Sequence, residues 1–223
     1  MGGKVVKLKW YGHASFLITA DNGLKIITDP YEPGGYDGAI GYGEIPDTPD
    51  IVLCSHDHAD HGYTKGLKGE FEVVNKSGVT VVKGIEFKGV EAYHDTEEGQ
   101  QRGTIIIYTF AIDGVNICHL GDLGHEIDDA LAEKIGDVDV LLIPVGGMFT
   151  INGNVADRVI EKINPKIVIP MHYKTDKCGF PLARIEEFID RKRNVSLMAT
   201  DEIAITKETL PKNQMIMLLD HAL

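Results

Sequence analysis

The first residues of the chain alternate charged with apolar side chains up to Trp10, a pattern typical of a β-strand with one buried face. Further short apolar runs follow. The turns Asp21-Asn22-Gly23 and Asp113-Gly114, each between two such runs, favour hairpins. A long loop rich in glycine and proline interrupts the pattern over residues 30–49. The pattern predicts strands at residues 5–10, 15–19, 24–28, 51–54, 71–74, 79–82, 85–90, 104–112 and 115–120.

From residue 127 onward the pattern changes to an alternation of helix and strand. A strand-rich first part followed by such a second part favours two packed sheets with helices outside, which is a four-layer sandwich of the α/β (α+β) class. No repeat of fixed period and no linker is evident, so residues 1–223 are expected to form a single domain. The predicted helices are residues 127–135, 154–163 and 181–194, around strands at 138–143 and 166–169.

Charge and composition narrow the classes of partner. The formal net charge is −12, which disfavours nucleic acid and anionic membranes and favours a small-molecule substrate. The longest apolar run, residues 138–145, is far shorter than the roughly 20 residues that cross a bilayer, so no membrane segment is expected. Three cysteines without a close pair suggest a reducing, cytoplasmic compartment. The sequence is also compatible with assembly into a homo-oligomer.

The densest cluster of chemically active residues lies directly after the predicted strand 51–54. Residues 55–62 read Ser-His-Asp-His-Ala-Asp-His-Gly, with three histidines and two aspartates in six consecutive positions. Imidazole and carboxylate suit zinc, iron and manganese. The alternative is a solvated loop that is rich in histidine by chance. If the loop binds metal, its three histidines and two aspartates are the first candidate ligands.

Other candidate ligands follow predicted strands in the same way. His94, Asp122 and His172 each come just after an apolar run. Because sites collect beyond the carboxyl ends of strands, separate strands can deliver these side chains to one edge. Taken singly, each has a simpler explanation, such as a core histidine, a turn aspartate or a histidine bonded to the backbone. The joint pattern favours a shared metal site.

In order and spacing, these residues resemble the metallo-β-lactamase superfamily. The strings Gly12-His13-Ala14-Ser15-Phe16, His119-Leu120-Gly121-Asp122, Pro144-Val145-Gly146-Gly147 and Pro170-Met171-His172-Tyr173 are similar to its bacterial branch that contains L-ascorbate-6-phosphate lactonase. The resemblance implies an αββα sandwich with two metals at one edge. It also implies that His56, His58 and His94 hold the first metal, that Asp60, His61 and His172 hold the second, and that Asp122 bridges them.

The resemblance further implies a hydrolase in which two divalent ions, roughly 3.5–4 Å apart, hold a hydroxide that attacks an ester, lactone or phosphate ester. Asp60 and Asp122 are then the catalytic candidates, since Asp60 can also orient the hydroxide or move its proton. Zinc suits these ligands best, and manganese and iron accept the same set. The alternatives are a phosphodiesterase or nuclease of the same fold, or a non-catalytic metal-binding or sensing protein.

Five more residues are candidates for support or substrate contact. The resemblance places His13 near the site, with a buried structural histidine as the alternative. His119 is expected in the core or beside a ligand, and His125 at the rim of the pocket. Arg102 and Lys174 could bind an anionic group of the substrate, and an ordinary solvated charge is the alternative for each.

Overall fold

The structure of the chain is a computed structural model that describes residues 3–190 and 192–223. Two predicted strands, Ser15–Thr19 and Thr104–Ile112, have the predicted bounds, and the other predicted strands differ by a few residues at their ends. The strands are β1 (Val6–Gly12), β2 (Ser15–Thr19), β3 (Lys25–Thr28), β4 (Ile51–Leu53), β5 (Glu72–Val74), β6 (Gly78–Val82), β7 (Ile85–Tyr93), β8 (Thr104–Ile112), β9 (Val115–His119), β10 (Val140–Pro144), β11 (Ile167–Met171), β12 (Val195–Leu197), β13 (Glu202–Ile205) and β14 (Met215–Leu218).

The helices are short, and side-chain caps mark where two of them begin. The side chain of Asp128 accepts a hydrogen bond from Leu131 N at 2.7 Å, and that of Asn152 accepts one from Val155 N at 3.1 Å. Asn164 ends the longest helix in the left-handed conformation. No helix in the described part of the chain combines the length and the apolar character that crossing a bilayer requires. The helices are α1 (Gly35–Gly38), α2 (Asp129–Ile135), α3 (Gly153–Ile163) and α4 (Ile185–Ile189).

The helix predicted at residues 181–194 is wrong in extent, because only α4 is helical there; residue 191 lies outside the described residues. The segment before α4 is extended, since Ala183 accepts a hydrogen bond from Lys174 N and donates one to Gly146 O. These long-range backbone bonds replace the first turn of the predicted helix. Three strands near the carboxyl end, β12, β13 and β14, were not predicted.

The strands form two sheets, and the predicted sandwich is confirmed. One sheet has the order β13-β1-β2-β3-β4-β5 and the other the order β12-β14-β11-β10-β9-β8-β7-β6. The main hydrophobic core contains residues of both sheets, including Phe16 and Ile18 of β2. Leu17 of the same strand packs into a second, smaller hydrophobic cluster with Tyr31 and Tyr42. This alternation is the period of two expected for a sheet that is buried on both faces.

The outer layers of the two sheets differ. Helix α2 contacts β7 and β8, and α3 packs against α2 and α4 while burying Ala156, Val159 and Ile160 in the main core. On the outer side of the first sheet, the second cluster takes Tyr31 and Tyr42 from the 30–49 loop. Loop residues therefore supply this fourth layer.

Strand direction determines where the candidate residues meet. Strands β1 and β3 both run antiparallel to β2, and β4 is parallel to β3. In the other sheet β7 and β9 both run antiparallel to β8, while β10 and β11 are parallel to β9. The carboxyl ends of β1, β3 and β4 therefore share one edge of their sheet, as do those of β7, β9, β10 and β11.

Candidate metal centre

The candidate site is built from residues that follow these strand ends. His13 follows β1, the 55–62 loop follows β4, His94 follows β7 and His172 follows β11. His13 and His172 have positive φ angles of 51° and 52°, a conformation that is uncommon for residues other than glycine. The backbone thus turns sharply as each strand ends, and both side chains are fully buried. Such strained positions persist only where the surrounding structure enforces them.

The structure brings all seven predicted ligands together, and it adds His13. Three overlapping groups each have potential ligand atoms within 4.8 Å of one another. The groups are His56, His58 and His94; His13, Asp60, His61 and His172; and His56, His61 and Asp122. The first two groups match the two predicted ligand sets, except that His13 joins the second.

Asp122 lies between the two sets of ligands. Its Oδ2 atom is 3.1 Å from His61 Nε2 and 3.3 Å from His94 Nε2. Its Oδ1 atom is 3.5 Å from His172 Nε2. The carboxylate therefore contacts His94 of the first set and two histidines of the second, which is the position that a bridging ligand requires.

Burial and charge set opposite pKa shifts among the histidines. Burial lowers the pKa of both His56 and His172 to about 3, so their imidazoles are neutral at physiological pH. Burial also acts to lower the pKa of His61, but the nearby Asp122 and Asp60 carboxylates outweigh it and raise that pKa above its ordinary value. Neutral imidazole is the form that binds metals, and a cation beside Asp122 would compete with the proton on His61.

Two polar atoms at the centre of the cluster are buried without a hydrogen-bond partner. They indicate whether these residues fit metal ions. Within the described residues, neither His61 Nε2 nor Asp122 Oδ1 has a hydrogen-bond partner, since the 3.1 Å approach of His61 Nε2 to Asp122 lacks hydrogen-bond geometry. Leaving such a group unsatisfied costs about 1–3 kcal/mol. Imidazole and carboxylate atoms that face one another without hydrogen bonds fit a divalent cation between them.

Asp29 is a buried carboxylate that contacts the residues supporting the centre. It was not identified from the sequence. Its Oδ1 accepts a hydrogen bond from Ser55 N at 2.7 Å, and its Oδ2 lies 2.7 Å from Ser55 Oγ, 2.9 Å from His61 Nδ1 and 2.8 Å from His119 Nε2. Because Nδ1 of His61 is engaged, its Nε2 is left to face Asp122. Asp29 directly follows the strand predicted at 24–28, so the rule applied to the other candidates would have found it.

We expect Asp29→Asn to destabilise the metal-free protein by about 3–5 kcal/mol, because it leaves buried donors without their charged acceptor. Burial acts to raise the pKa of Asp29, but His119 and His61 outweigh it and hold that pKa below its ordinary value, so the carboxylate is charged. Urea unfolding in the presence of a chelator measures the change. The exposed Asp37→Asn serves as the control and should stay within roughly 0.5 kcal/mol of the wild type. Equal stability of both variants would show that Asp29 does not support the centre.

The other candidates occupy different positions around the cluster. Nε2 of His13 lies 3.0 Å from Asp60 Oδ2, whereas His119 reaches Asp29 and not a predicted ligand. His125 accepts a hydrogen bond from Tyr93 N at 3.2 Å and lines a separate surface depression. Nζ of Lys174 donates to Phe180 O at 2.9 Å. Asp57 is exposed and belongs to none of the three ligand groups.

A cleft of about 290 Å³ opens onto the cluster. Sequence reasoning gave no role to Tyr36, because it lies in the 30–49 loop, which lacks regular periodicity. The backbone of Tyr36 is left-handed, with φ 53°, and its hydroxyl donates to Asp60 Oδ1 at 3.2 Å. The cleft is lined by Tyr36, His58, Asp60, His94, Gln101, Arg102, Asp122, Phe149, His172 and Phe180.

Glycines allow the loops that carry the ligands to approach each other closely. A Cβ atom at Gly121, whose φ is 52°, would lie 2.6 Å from the Cβ of Ser55. One at Gly146 would lie 2.2 Å from the carbonyl oxygen of His172. Both distances are far below van der Waals contact, so these positions exclude larger residues. The Asp122 and His172 loops are therefore held against their neighbours by backbone packing.

Comparisons with known proteins found a matching family and several relatives. Residues 7–172 match the family described as the beta-lactamase superfamily domain. A UPF0173 metal-dependent hydrolase of Thermococcus kodakarensis is 31% identical over 196 residues, covering 77% of this chain and 86% of that protein. Another, of Carboxydothermus hydrogenoformans, is 30% identical over 221 residues, covering 84% of this chain and 92% of that protein.

A solved structure is similar over nearly the whole chain. It is the crystal structure of a candidate Zn-dependent hydrolase of the metallo-beta-lactamase superfamily from Thermotoga maritima. The two chains are 34% identical and superpose with a TM-score of 0.77, over 96% of this chain and 98% of that one.

Proposed function

The chain belongs to the beta-lactamase superfamily, among the UPF0173 metal-dependent hydrolases, and on this basis we propose that it hydrolyses a small-molecule ester, lactone or phosphate ester with two divalent metal ions. The proposal rests on Asp122, whose carboxylate contacts His94 of one ligand set and His61 and His172 of the other. A single carboxylate between two histidine-rich sets is the arrangement that a paired metal centre needs.

Seven residues would hold the ions. His56, His58 and His94 would bind one, Asp60, His61 and His172 the other, and Asp122 would reach both. When bound, the ions supply Lewis acidity and a water whose pKa falls to about 7. Zinc suits this donor set best, and manganese and iron accept it too.

Asp60 is the proposed general base. Its Oδ2 is held by His13 and its Oδ1 by the hydroxyl of Tyr36, so the carboxylate has a fixed orientation. It also lines the cleft, where it can accept a proton from a water next to the substrate. Asp60 would therefore combine ligation with general-base chemistry, while His13 positions it.

The dimensions of the cleft support a small substrate. Its volume of about 290 Å³ is at the lower end of the range for small-molecule pockets. The net charge of −12 works against a long polyanion. A phosphodiesterase or nuclease acting through the same centre is the alternative enzyme, and a metal-binding protein without turnover is the non-enzymatic one.

Two measurements test the proposal. Elemental analysis of the protein purified without chelator should find about two divalent ions per chain, as the paired-ion chemistry requires. The metal-loaded protein is then screened against lactones, carboxylic esters, phosphomonoesters, phosphodiesters and thioesters. Turnover of a lactone, carboxylic ester or phosphomonoester that is lost on chelation and restored by one metal supports a small-molecule hydrolase. A preference for phosphodiesters supports the nuclease alternative, and two bound ions without any turnover support the non-catalytic one.

A further inference from the structure

We propose that Arg102, with an aromatic wall formed by Tyr36, Phe149 and Phe180, is a subsite for an oxyanion group on the part of the substrate that is not cleaved. The oxyanion would be a carboxylate or a phosphate. This inference rests on the proposed function, because the subsite lies in the cleft that opens onto the candidate metal centre.

Arg102 is placed to bind an anion. Among the described residues that line the cleft, it is the only lysine or arginine. Its guanidinium carbon lies 5.3 Å from the centroid of the Phe149 ring, so it packs against an aromatic side chain. In the described part of the chain no carboxylate forms an ion pair with it. A guanidinium carries five N–H donors, and here they are left for a ligand.

The loop that carries Arg102 is preorganised. Asp95 is buried, and its Oδ1 accepts hydrogen bonds from the backbone N–H groups of Glu97 and Gly99 at 2.8 and 2.9 Å. Its Oδ2 accepts two more, from Gln101 at 2.9 Å and Arg102 at 2.8 Å. A carboxylate that binds four backbone donors fixes the loop, so little ordering entropy remains to be lost when a ligand binds.

The same loop is tied directly to the candidate metal centre. The backbone N–H of His94 donates to the carbonyl of Gly103 at 3.0 Å, which closes the loop between a proposed ligand and Arg102. The backbone of Arg102 is therefore held at a defined place beside the centre. A substrate with two oxygen-bearing ends could place one end at the metals and the other at Arg102.

Three aromatic side chains form one wall of the cleft. Phe180 packs against Tyr36 with ring centroids 5.4 Å apart and against Phe149 with centroids 5.6 Å apart. The two acids that line the cleft, Asp60 and Asp122, are proposed metal ligands. A short apolar spacer between the two ends of the substrate would contact the aromatic wall, and the anion would be recognised by charge and geometry at Arg102.

Binding of small dicarboxylates tests this subsite directly. Succinate, glutarate and adipate are titrated by calorimetry into the zinc-loaded protein, beside monocarboxylates of the same chain lengths. One carboxylate of each probe can bind at the metals, so the second reports on Arg102. For at least one length we expect the dicarboxylate to bind about 10- to 100-fold more tightly than its monocarboxylate, as for a charged hydrogen bond. If Arg102→Gln lowers the affinity for 3-phosphonopropionate more than the affinity for succinate, the oxyanion at Arg102 is a phosphate, and an equal loss indicates a carboxylate.

The Arg102→Gln variant should lose this advantage while keeping its zinc content and its affinity for monocarboxylates. Lys177→Gln is the matched control, because it removes the same charge from an exposed position outside the cleft, and it should keep the advantage. An equal advantage in Arg102→Gln and wild type, or none in the wild type at any length, would overturn the subsite. A failure of the proposed function is seen separately, as low zinc content or absent turnover.

Discussion

Asp122→Asn should lower hydrolysis of the substrate found in the screen by several orders of magnitude and reduce the metal content from about two ions per chain towards one. The substitution keeps the shape of the side chain but removes a negative charge from between two cations, which then repel each other more strongly. The first ion should be retained, because His56, His58 and His94 form a complete group without Asp122. Elemental analysis and initial rates on the same preparation measure both effects.

Asp57→Asn is the matched control for this variant. Asp57 lies in the 55–62 loop between the proposed ligands His56 and His58, is exposed, and belongs to none of the three ligand groups. Removing its charge should change metal content and rate little. If Asp122→Asn is folded by circular dichroism and keeps both full metal content and full activity, Asp122 is not the shared ligand.

Chelation of the metals should lower the melting temperature of the wild-type protein substantially. Ions that bind only the folded chain stabilise it by mass action, and an ion at 1,000 times its dissociation constant adds about 4.1 kcal/mol. For a chain of this size that corresponds to roughly 8–16 °C for each ion. The effect is expected to be large because the ligand atoms come from strand ends between His13 and His172 and meet only in the folded state. Thermal unfolding with and without chelator measures it.

Two variants show whether this shift comes from the proposed centre. His94→Gln removes a member of the first ligand group and should show a clearly smaller shift on chelation. His125→Gln changes a histidine outside all three groups and should show the wild-type shift. Identical melting temperatures for loaded and chelated wild type would contradict the proposal that the metals bind at a site formed on folding.

Several features of the fold and the site could be predicted from local sequence. A run of apolar and β-branched residues, followed by the turn Asp113-Gly114, predicted the strand Thr104–Ile112, because such runs between turns are typical of buried strands. The 55–62 loop could be recognised as a ligand source because its histidines and aspartates are contiguous. His94, Asp122 and His172 could be added because each comes directly after an apolar run, and strand direction later brought these ends to one edge.

The structure was needed wherever a partner is distant in sequence. His119 lies 90 residues from Asp29 and His13 lies 47 from Asp60, and no local pattern pairs them. The assignment of Tyr36 to the cleft depends on how the 30–49 loop packs over the first sheet, and that loop has no periodicity to interpret. The helix predicted at 181–194 was too long because extended backbone pairing between Ala183 and Gly146 outweighed helix propensity.

The amino-acid sequence was enough to predict the sandwich class, the positions of most strands and seven candidate ligands, since these follow from residue types and spacing within short segments and from the family resemblance that those segments carry. Tertiary packing was needed to show that His13 joins the second ligand group, that Asp29 connects His61 to His119, and that Arg102 lines the cleft. These relations arise because strands that are far apart along the chain end at a common edge. Their geometry is set by sheet pairing, sharp turns after strands and the close packing of loops at Gly121 and Gly146.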